Sequence, residues 1–387
     1  MNAYGRYIIV ALTLLISIHY LVSFTHEPYG RATSISNIVS KIKPGKSEET
    51  HTLPDKFPED VRPVFDDSDA SSYQRANASF VILCRNSDLG GTVRSVREME
   101  DRFNRRYRYP YVFLNEEPFS DEFKEAISNL TPAQVEFGVI PHDHWYQPDS
   151  IDEEKATAAR EKMSADNIIY GGSVSYRNMC RFNSGFFFRH PLMEKYKWYW
   201  RIEPDVHFHC DINYDPFTFM QQNNKTYSFT ITMYEFEATI PTLWGHVNDF
   251  AKENPQFIAK NNAFGFMAED GGAKYNLCHF WSNFEIADMD FWRSPAYTAF
   301  FEYLDAQGGF YYERWGDAPV HSIAAALFLS REQIHFFHDI GYEHNPYTHC
   351  PKDLDTWKKG RCSCQRSQSF DYDGYSCMNR WDRFMER

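Results

Sequence analysis

Two carboxylates stand at the end of a short apolar run, Trp198-Tyr-Trp-Arg-Ile-Glu-Pro-Asp-Val206. The run reads as a strand that delivers Glu203 and Asp205 to the point where it must stop. Pro204 lacks a backbone N–H and holds Ile202-Glu203 toward extended geometry. Open α/β sheets take their ligands at the carboxyl ends of strands. Hard oxygen donors there suit a divalent cation, and such a cation suits a diphosphate. By itself the tripeptide is first a strand end with two solvated acids, so other residues must decide. Glu285 is the second candidate, set in the sequence among Phe280, Trp281, Phe284, Ile286, Phe291 and Trp292. A lone carboxylate in apolar surroundings is costly unless paired or functional. It is either a nucleophile or base beside a sugar, or a buried acid satisfied by Asn283 or a backbone N–H. The third candidate is the stretch His335-Phe-Phe-His-Asp-Ile-Gly-Tyr-Glu-His-Asn-Pro346. Gly341 permits a sharp turn that would present His344 outside the sheet. Neutral imidazole is a good ligand for Mn²⁺ or Zn²⁺. His335, His338, His344 and His349 cannot all be ligands, and each alone reads first as a hydrogen-bonded surface or core histidine.

The elements that must position these groups follow a clear rhythm. Ala78–Cys84 is a buried-strand run, followed by a polar turn at Arg85–Leu89 and helical spacing from Gly90 to Phe103. Tyr109–Leu114 is a second strand, Asp121–Leu130 a helix and Val135–Ile140 a third strand. That βαβ alternation predicts an α/β fold with a mainly parallel sheet. Ile151–Met163 is an exposed helix and Ser175–Phe188 another, before the strand into Glu203. Beyond it the pattern becomes less regular and mixed. Tyr227–Met233 and Phe264–Met267 read as strands, Ala318–Leu327 as a small apolar helix and Ile334–Phe337 as a strand.

Composition narrows the function. With 25 Tyr, 33 Phe and 9 Trp, the chain has flat amphipathic surface for sugars and bases as well as core area. A formal charge of −13 excludes a nucleic-acid backbone as partner, though a nucleotide can still bind through a local cation. Tyr7–Phe24 is eighteen residues without Asp, Glu, Lys or Arg, with Arg6 before it. This predicts a cytosolic tail at 1–6, an uncleaved membrane-spanning signal anchor at 7–24 and the bulk on the far side. Ser23-Phe24-Thr25-His26 is a poor cleavage site for the rival reading, a signal peptide. The short span suits a thin early secretory membrane. Residues 25–75, polar and dotted with proline, read as an extended stem, and 76–387 as the body. Sequons at Asn77, Asn129 and Asn224 and an even set of eight cysteines suit an oxidising lumen. The Cys350–Cys377 cluster reads as a stapled loop region. Cys362-Ser-Cys364 is spaced too closely for the usual zinc knuckle.

Six stretches then carry a resemblance: Tyr170–Tyr176, Asn178–Phe186, Tyr199–Asp205, Asn276–Ile286, Trp315–His321 and Asp339–Tyr342. In this order they resemble the fungal Golgi α-1,2-mannosyltransferases, glycosyltransferase family 15, from about Ser79 to Cys377. The resemblance implies a GT-A-like single large domain, with a mainly parallel nucleotide-binding sheet and a mixed acceptor-side region. It implies GDP-mannose as donor, Mn²⁺ as cofactor, mannose-terminated glycan acceptors on glycoproteins, and retention of anomeric configuration. Glu203 and His344 would ligate Mn²⁺, Glu285 would be the nucleophile, and Tyr176 would touch the donor near its reacting carbon. Tyr170, Arg201, Glu235 and Asp317 would line the mannose cleft, with Asp205 and Trp281 beside them. Arg85 and Asp88 would meet the nucleotide. The family often has His or Arg where Glu343 stands, so an extra acid is expected beside the metal ligand. Two other activities fit the same residues less well: transfer of mannose phosphate, and non-catalytic mannan binding. The intact set Glu203, Glu285 and His344 argues against the second.

Overall fold

A computed structural model of the protein describes residues 74–386. The expected tail, membrane anchor and all but the end of the stem lie outside the described residues. No described helix is long and apolar enough to cross a membrane. The last residue assigned to the stem, Arg75, is tied to the body through hydrogen bonds to the Tyr107 and Arg108 carbonyls.

The first half obeys the βαβ rhythm. Strand β1 (Ala78–Leu83) leads to helix α1 (Leu89–Met99), β2 (Tyr111–Asn115), helix α2 (Asp121–Ser128) and β3 (Val135–Val139). Helices α3 (Glu153–Ala165) and α4 (Val174–Gly185) precede β4 (Trp198–Ile202) and β5 (Val206–Phe208). Then come β6 (Tyr227–Phe229), β7 (Thr232–Tyr234), β8 (Cys278–Phe280), β9 (Glu285–Asp288), helix α5 (Asp317–Phe328), β10 (Ile334–Phe336), β11 (Tyr342–His344) and β12 (Tyr347–His349). A seven-stranded sheet runs in the order β10-β6-β9-β4-β1-β2-β3. Strands β4, β1, β2 and β3 are mutually parallel, whereas β9 is antiparallel to both β4 and β6. Two smaller sheets matter for the site: β12-β11-β5 and β8-β7.

Packing on both faces explains why β4 reads as a continuous aromatic run. Trp198, Trp200 and Ile202 alternate into one core with Phe80, Phe103 and Phe217. Tyr199 points to the other side, into a core with Tyr227, Trp292 and Trp315. Arg201 and Glu203 share that second face by the same period of two.

Several expectations need correction. Phe264–Met267 is a helical turn, not a strand, started by Asn262, whose side chain accepts from Phe264 N at 3.0 Å. Four apolar residues fit either geometry, and the Asx turn at Asn262 leads the chain into the helical one. Tyr227–Met233 is two strands in two sheets, β6 and β7. The strand β9, central to the sheet, was not expected, because only Ile286 and Ala287 separate the acids at its ends. The cysteines do not all pair. Cys210–Cys362, Cys278–Cys377 and Cys350–Cys364 are disulfides, while Cys84 and Cys180 are free and buried. Two of the three bridges tie the C-terminal cluster back to the body; one staples it internally. Of the sequons, Asn129 and Asn224 are exposed, and the Asn77 side chain donates to the Lys195 carbonyl.

Candidate active site

The carboxyl ends of β1 and β4 open into a cleft of about 710 Å³. Glu203 follows β4 directly and lines the floor. It meets His344 because β5, which begins three residues later, pairs with β11, so that His344 lies opposite Val206. Glu203 Oε2 is 3.3 Å from His344 Nε2, and Glu203 Oε1 accepts from Arg201. His344 Nδ1 faces the Asn345 carbonyl at 3.2 Å, which can only accept, so Nδ1 carries a proton. The Nε2 atom then faces Glu203 with its lone pair unless a second proton is added. Two acceptors this close need a cation between them, either a proton or a metal.

The electrostatics agree. Burial pushes Glu203 toward the neutral acid, but the Arg201 charge and the His344 contact outweigh it and hold the carboxyl down at about 2. Burial lowers His344, yet Glu203 raises it further, for a net upward shift. Arg201 also donates to Asp317 Oδ2 at 2.5 Å, and Ser282 Oγ donates to the same oxygen at 2.7 Å. Asp317 is thus held below the ordinary carboxylate range: its burial works against ionisation, but Arg201 and His321 win. One guanidinium braces Glu203 and Asp317 together.

Glu285 sits opposite Arg201 in the β9–β4 register. Its neighbours are not those its sequence suggested. Phe284 and Ile286 alternate into the other core, and Trp281 lies in the cleft against His344, ring centroids 5.0 Å apart. The carboxylate is fully buried and polar-bonded. Tyr199 OH donates to Oε2 and Tyr227 OH to Oε1, each at 2.9 Å, and His321 Nδ1 lies 2.8 Å from Oε1. Neither Asn283 nor a backbone N–H is the partner. His321 Nε2 must donate to the Asn183 carbonyl at 3.0 Å, so the His321–Glu285 contact holds a further proton between them. Glu285 borders a pocket of about 20 Å³ shared with Arg201, Glu203 and Asn183, room for about one water below the cleft floor.

The remaining candidates divide. Arg85, Asp88, Tyr170, Tyr176, Glu235, Trp281 and Asp317 all line the cleft with Arg201, Glu203 and His344. Arg85 is anchored to Glu116 and Ser175, and Asp88 accepts from the Arg85 backbone N–H at 2.8 Å. Tyr170 adopts φ +56° and stacks its exposed ring on Tyr176 at 4.4 Å. Glu235 accepts from Phe236 N at 2.8 Å. Asp205 does not join them. Its backbone turns to φ +62°, and its carboxylate faces Arg94 and Gly91 on α1. The Pro204 turn that ends β4 sends the two acids in different directions. Glu343 likewise does not join His344 in the cleft: strand alternation turns it outward to His209, at 2.9 Å. Gly341 does not make a left-handed turn; it is needed because a Cβ there would stand 2.5 Å from Cys210 Sγ. His321 was overlooked as a site residue, although its spacing from Asp317 puts both on one face of a helix.

His349 is structural. It is buried, and its Nδ1 lies 2.9 Å from Asp371 Oδ1, joining β12 to the C-terminal segment. Burial lowers its pKa, but Asp371, with a smaller contribution from Asp339, raises it overall. A raised folded-state value means the stabilisation is complete below about pH 6.5 and fades as pH rises through the folded value. Thermal midpoints should therefore drop with rising pH above that point, and the drop should be smaller in His349→Gln. A variant with the wild-type pH slope would show that another group controls it.

Sequence and structure comparisons place this geometry among known proteins. The model of a family described as glycolipid 2-alpha-mannosyltransferase matches residues 34–386. The alpha-1,2 mannosyltransferase KTR1 of Saccharomyces cerevisiae is 55% identical over 307 residues, 79% of this chain and 78% of that one. The X-ray structure of the S. cerevisiae mannosyltransferase Ktr4p in complex with GDP superposes with a TM-score of 0.77 at 44% identity, covering 80% of this chain and 82% of Ktr4p. Core-mannan synthase A of Aspergillus fumigatus, in its Mn/GDP form, gives 0.76 at 38%, covering 81% and 86%.

Proposed function

This chain belongs to the glycolipid 2-alpha-mannosyltransferase family and is a glycosyltransferase; we propose that it moves mannose from GDP-mannose, with retention, to the 2-hydroxyl of a mannose on a glycoprotein glycan. The observation that carries this reading is the facing pair Glu203 and His344 on the floor of the cleft, 3.3 Å apart. Two acceptor atoms so placed fit a divalent cation, and the A. fumigatus relative was crystallised with manganese and GDP. Among the described residues no third His, Cys, Asp or Glu converges with them, so diphosphate and water would complete the shell. Bound there, Mn²⁺ would supply positive charge to the diphosphate leaving group.

The protein's own residues do the rest. Arg201 fixes Glu203 in place through one edge and Asp317 through the other. Arg85 and Asp88, past the end of β1, hold the nucleotide, by the rule that open sheets bind ligands at strand ends. Tyr170 and Tyr176 form an aromatic wall for the sugar. Glu285, with Tyr199, Tyr227 and His321 on its oxygens, acts from beneath on the positive charge that develops at the anomeric carbon. Its complete burial favours this electrostatic role over a covalent mannosyl–Glu285 intermediate. The acceptor hydroxyl then loses its proton to the departing phosphate. Incubation with GDP-mannose, Mn²⁺ and methyl α-mannoside, followed by linkage analysis, tests the reading. An α-1,2-linked dimannoside is expected; a charged, phosphate-containing product would favour mannose-phosphate transfer instead.

The proposal extends to place. The charge-free span at 7–24 and Arg6 before it support a single-pass Golgi membrane protein with its body in the lumen. N-terminal sequencing of the mature protein should return Met1 or Asn2. A start between Ser23 and Arg31 would make it a cleaved, soluble protein.

A further inference from the structure

The acceptor side of the cleft is more elaborate than transfer to one sugar requires. From the metal pair outward, aromatic rings form a chain. Trp281 lies 5.5 Å from Tyr347, Tyr347 6.3 Å from Tyr375, and Tyr375 6.1 Å from Phe236. Each of these four lines the cleft. They come from the second half of the chain, opposite the β1 end that carries Arg85 and Asp88. Phe236 is 54% exposed at the outer end, so its ring face is open to a ligand in the cleft.

Polar atoms along this wall lack partners. Asn283 Oδ1 and Tyr375 OH are shielded from solvent without a hydrogen-bond partner among the described residues. Both residues line the cleft, and Asn283 is only 5% exposed. Buried polar groups are normally satisfied, and an exception at a cleft wall marks a place where a ligand supplies the partner. Aromatic faces with nearby unpaired donors and acceptors suit a sugar, which offers apolar C–H faces and hydroxyl edges.

We infer that Phe236 and Tyr375 form an outer subsite for a second mannose, so that the acceptor is read as an α-linked disaccharide or longer. The inference rests on the mannosyltransferase reading above and specifies its acceptor. The sugar that receives the new bond lies at Trp281, near the metal pair, and the preceding sugar stacks at Phe236 with the Tyr375 hydroxyl on its edge.

The test uses the purified full-length chain, GDP-mannose and Mn²⁺, with methyl α-mannoside and methyl α-1,2-mannobioside as acceptors. Wild type should show kcat/KM roughly three- to tenfold higher for the disaccharide, the size expected for one aromatic contact. In Phe236→Ala this ratio should fall toward one, mainly through KM, and Tyr375→Phe should lower it less. Equal use of both acceptors by wild type, or an unchanged ratio in Phe236→Ala, overturns the subsite. Calorimetric binding of the two mannosides separates this from the activity itself. Tighter disaccharide binding that is lost in Phe236→Ala, without any transfer, keeps the subsite and discards the transferase reading. Equal binding of the two discards the subsite whatever the activity.

Discussion

Glu203→Gln should abolish useful transfer while leaving the protein folded. The substitution keeps shape and almost all hydrogen bonding. The Gln oxygen accepts from Arg201, and its amide donates to the lone pair that His344 Nε2 presents. What disappears is one negative charge where the site holds only two candidate protein ligands. Loss of charge at such a position costs about 10²-fold or more in kcat/KM. A simple affinity defect would be relieved by more Mn²⁺; loss of the ligand leaves a deficit at every concentration. His344→Ala should behave in the same way, since either change leaves a site with a single protein ligand. Comparable turnover for mutant and wild type across a Mn²⁺ titration would remove Glu203 from the metal site. The aromatic and aliphatic core packed around β4 is untouched by either change, so thermal midpoints should move little.

Glu285→Gln should lower kcat by ~10²–10⁴-fold with little change in GDP-mannose affinity. Gln reaches the same partners: Tyr199 donates to its oxygen, while its amide donates to the Tyr227 oxygen and to His321 Nδ1. His321 becomes a neutral imidazole that still donates through Nε2 to the Asn183 carbonyl. One loss remains, since the Tyr227 hydroxyl proton gives up its carboxylate acceptor, a cost of about 1–3 kcal/mol; a thermal midpoint measured beside kcat separates loss of the carboxylate from misfolding. Glu285→Asp should also be poor, because one missing methylene withdraws the carboxylate by about an ångström from its tyrosines and from the pocket. Nearly normal kcat in a well-folded Gln variant would reduce Glu285 to a buried acid held by two tyrosines and a histidine.

Much of this protein is determined by short-range sequence alone. The run into Glu203 had to be a strand because its aromatic and aliphatic residues can be buried on both faces, and Pro204 had to end it. The alternation of β1, α1, β2, α2 and β3 specified a parallel sheet with its ligand edge at their carboxyl ends. The motifs that carry the family resemblance already contained Glu203, Glu285 and Asp317, with His344 two residues past the last of them. Tertiary structure decided which way those groups face and what they touch. Asp205, two residues from Glu203, left the site because the chain turns through a positive φ at that residue. Glu343, adjacent to His344, turned outward because β11 pairs on both sides and keeps its period of two. Glu285 met Arg201, Tyr199, Tyr227 and His321 only through the antiparallel insertion of β9 beside β4 and the packing of α5 beneath it. Its apolar sequence neighbours concealed that polar nest. Local pattern fixes an element and its period; the partner across the sheet is set by register between distant segments, which no short window of sequence contains.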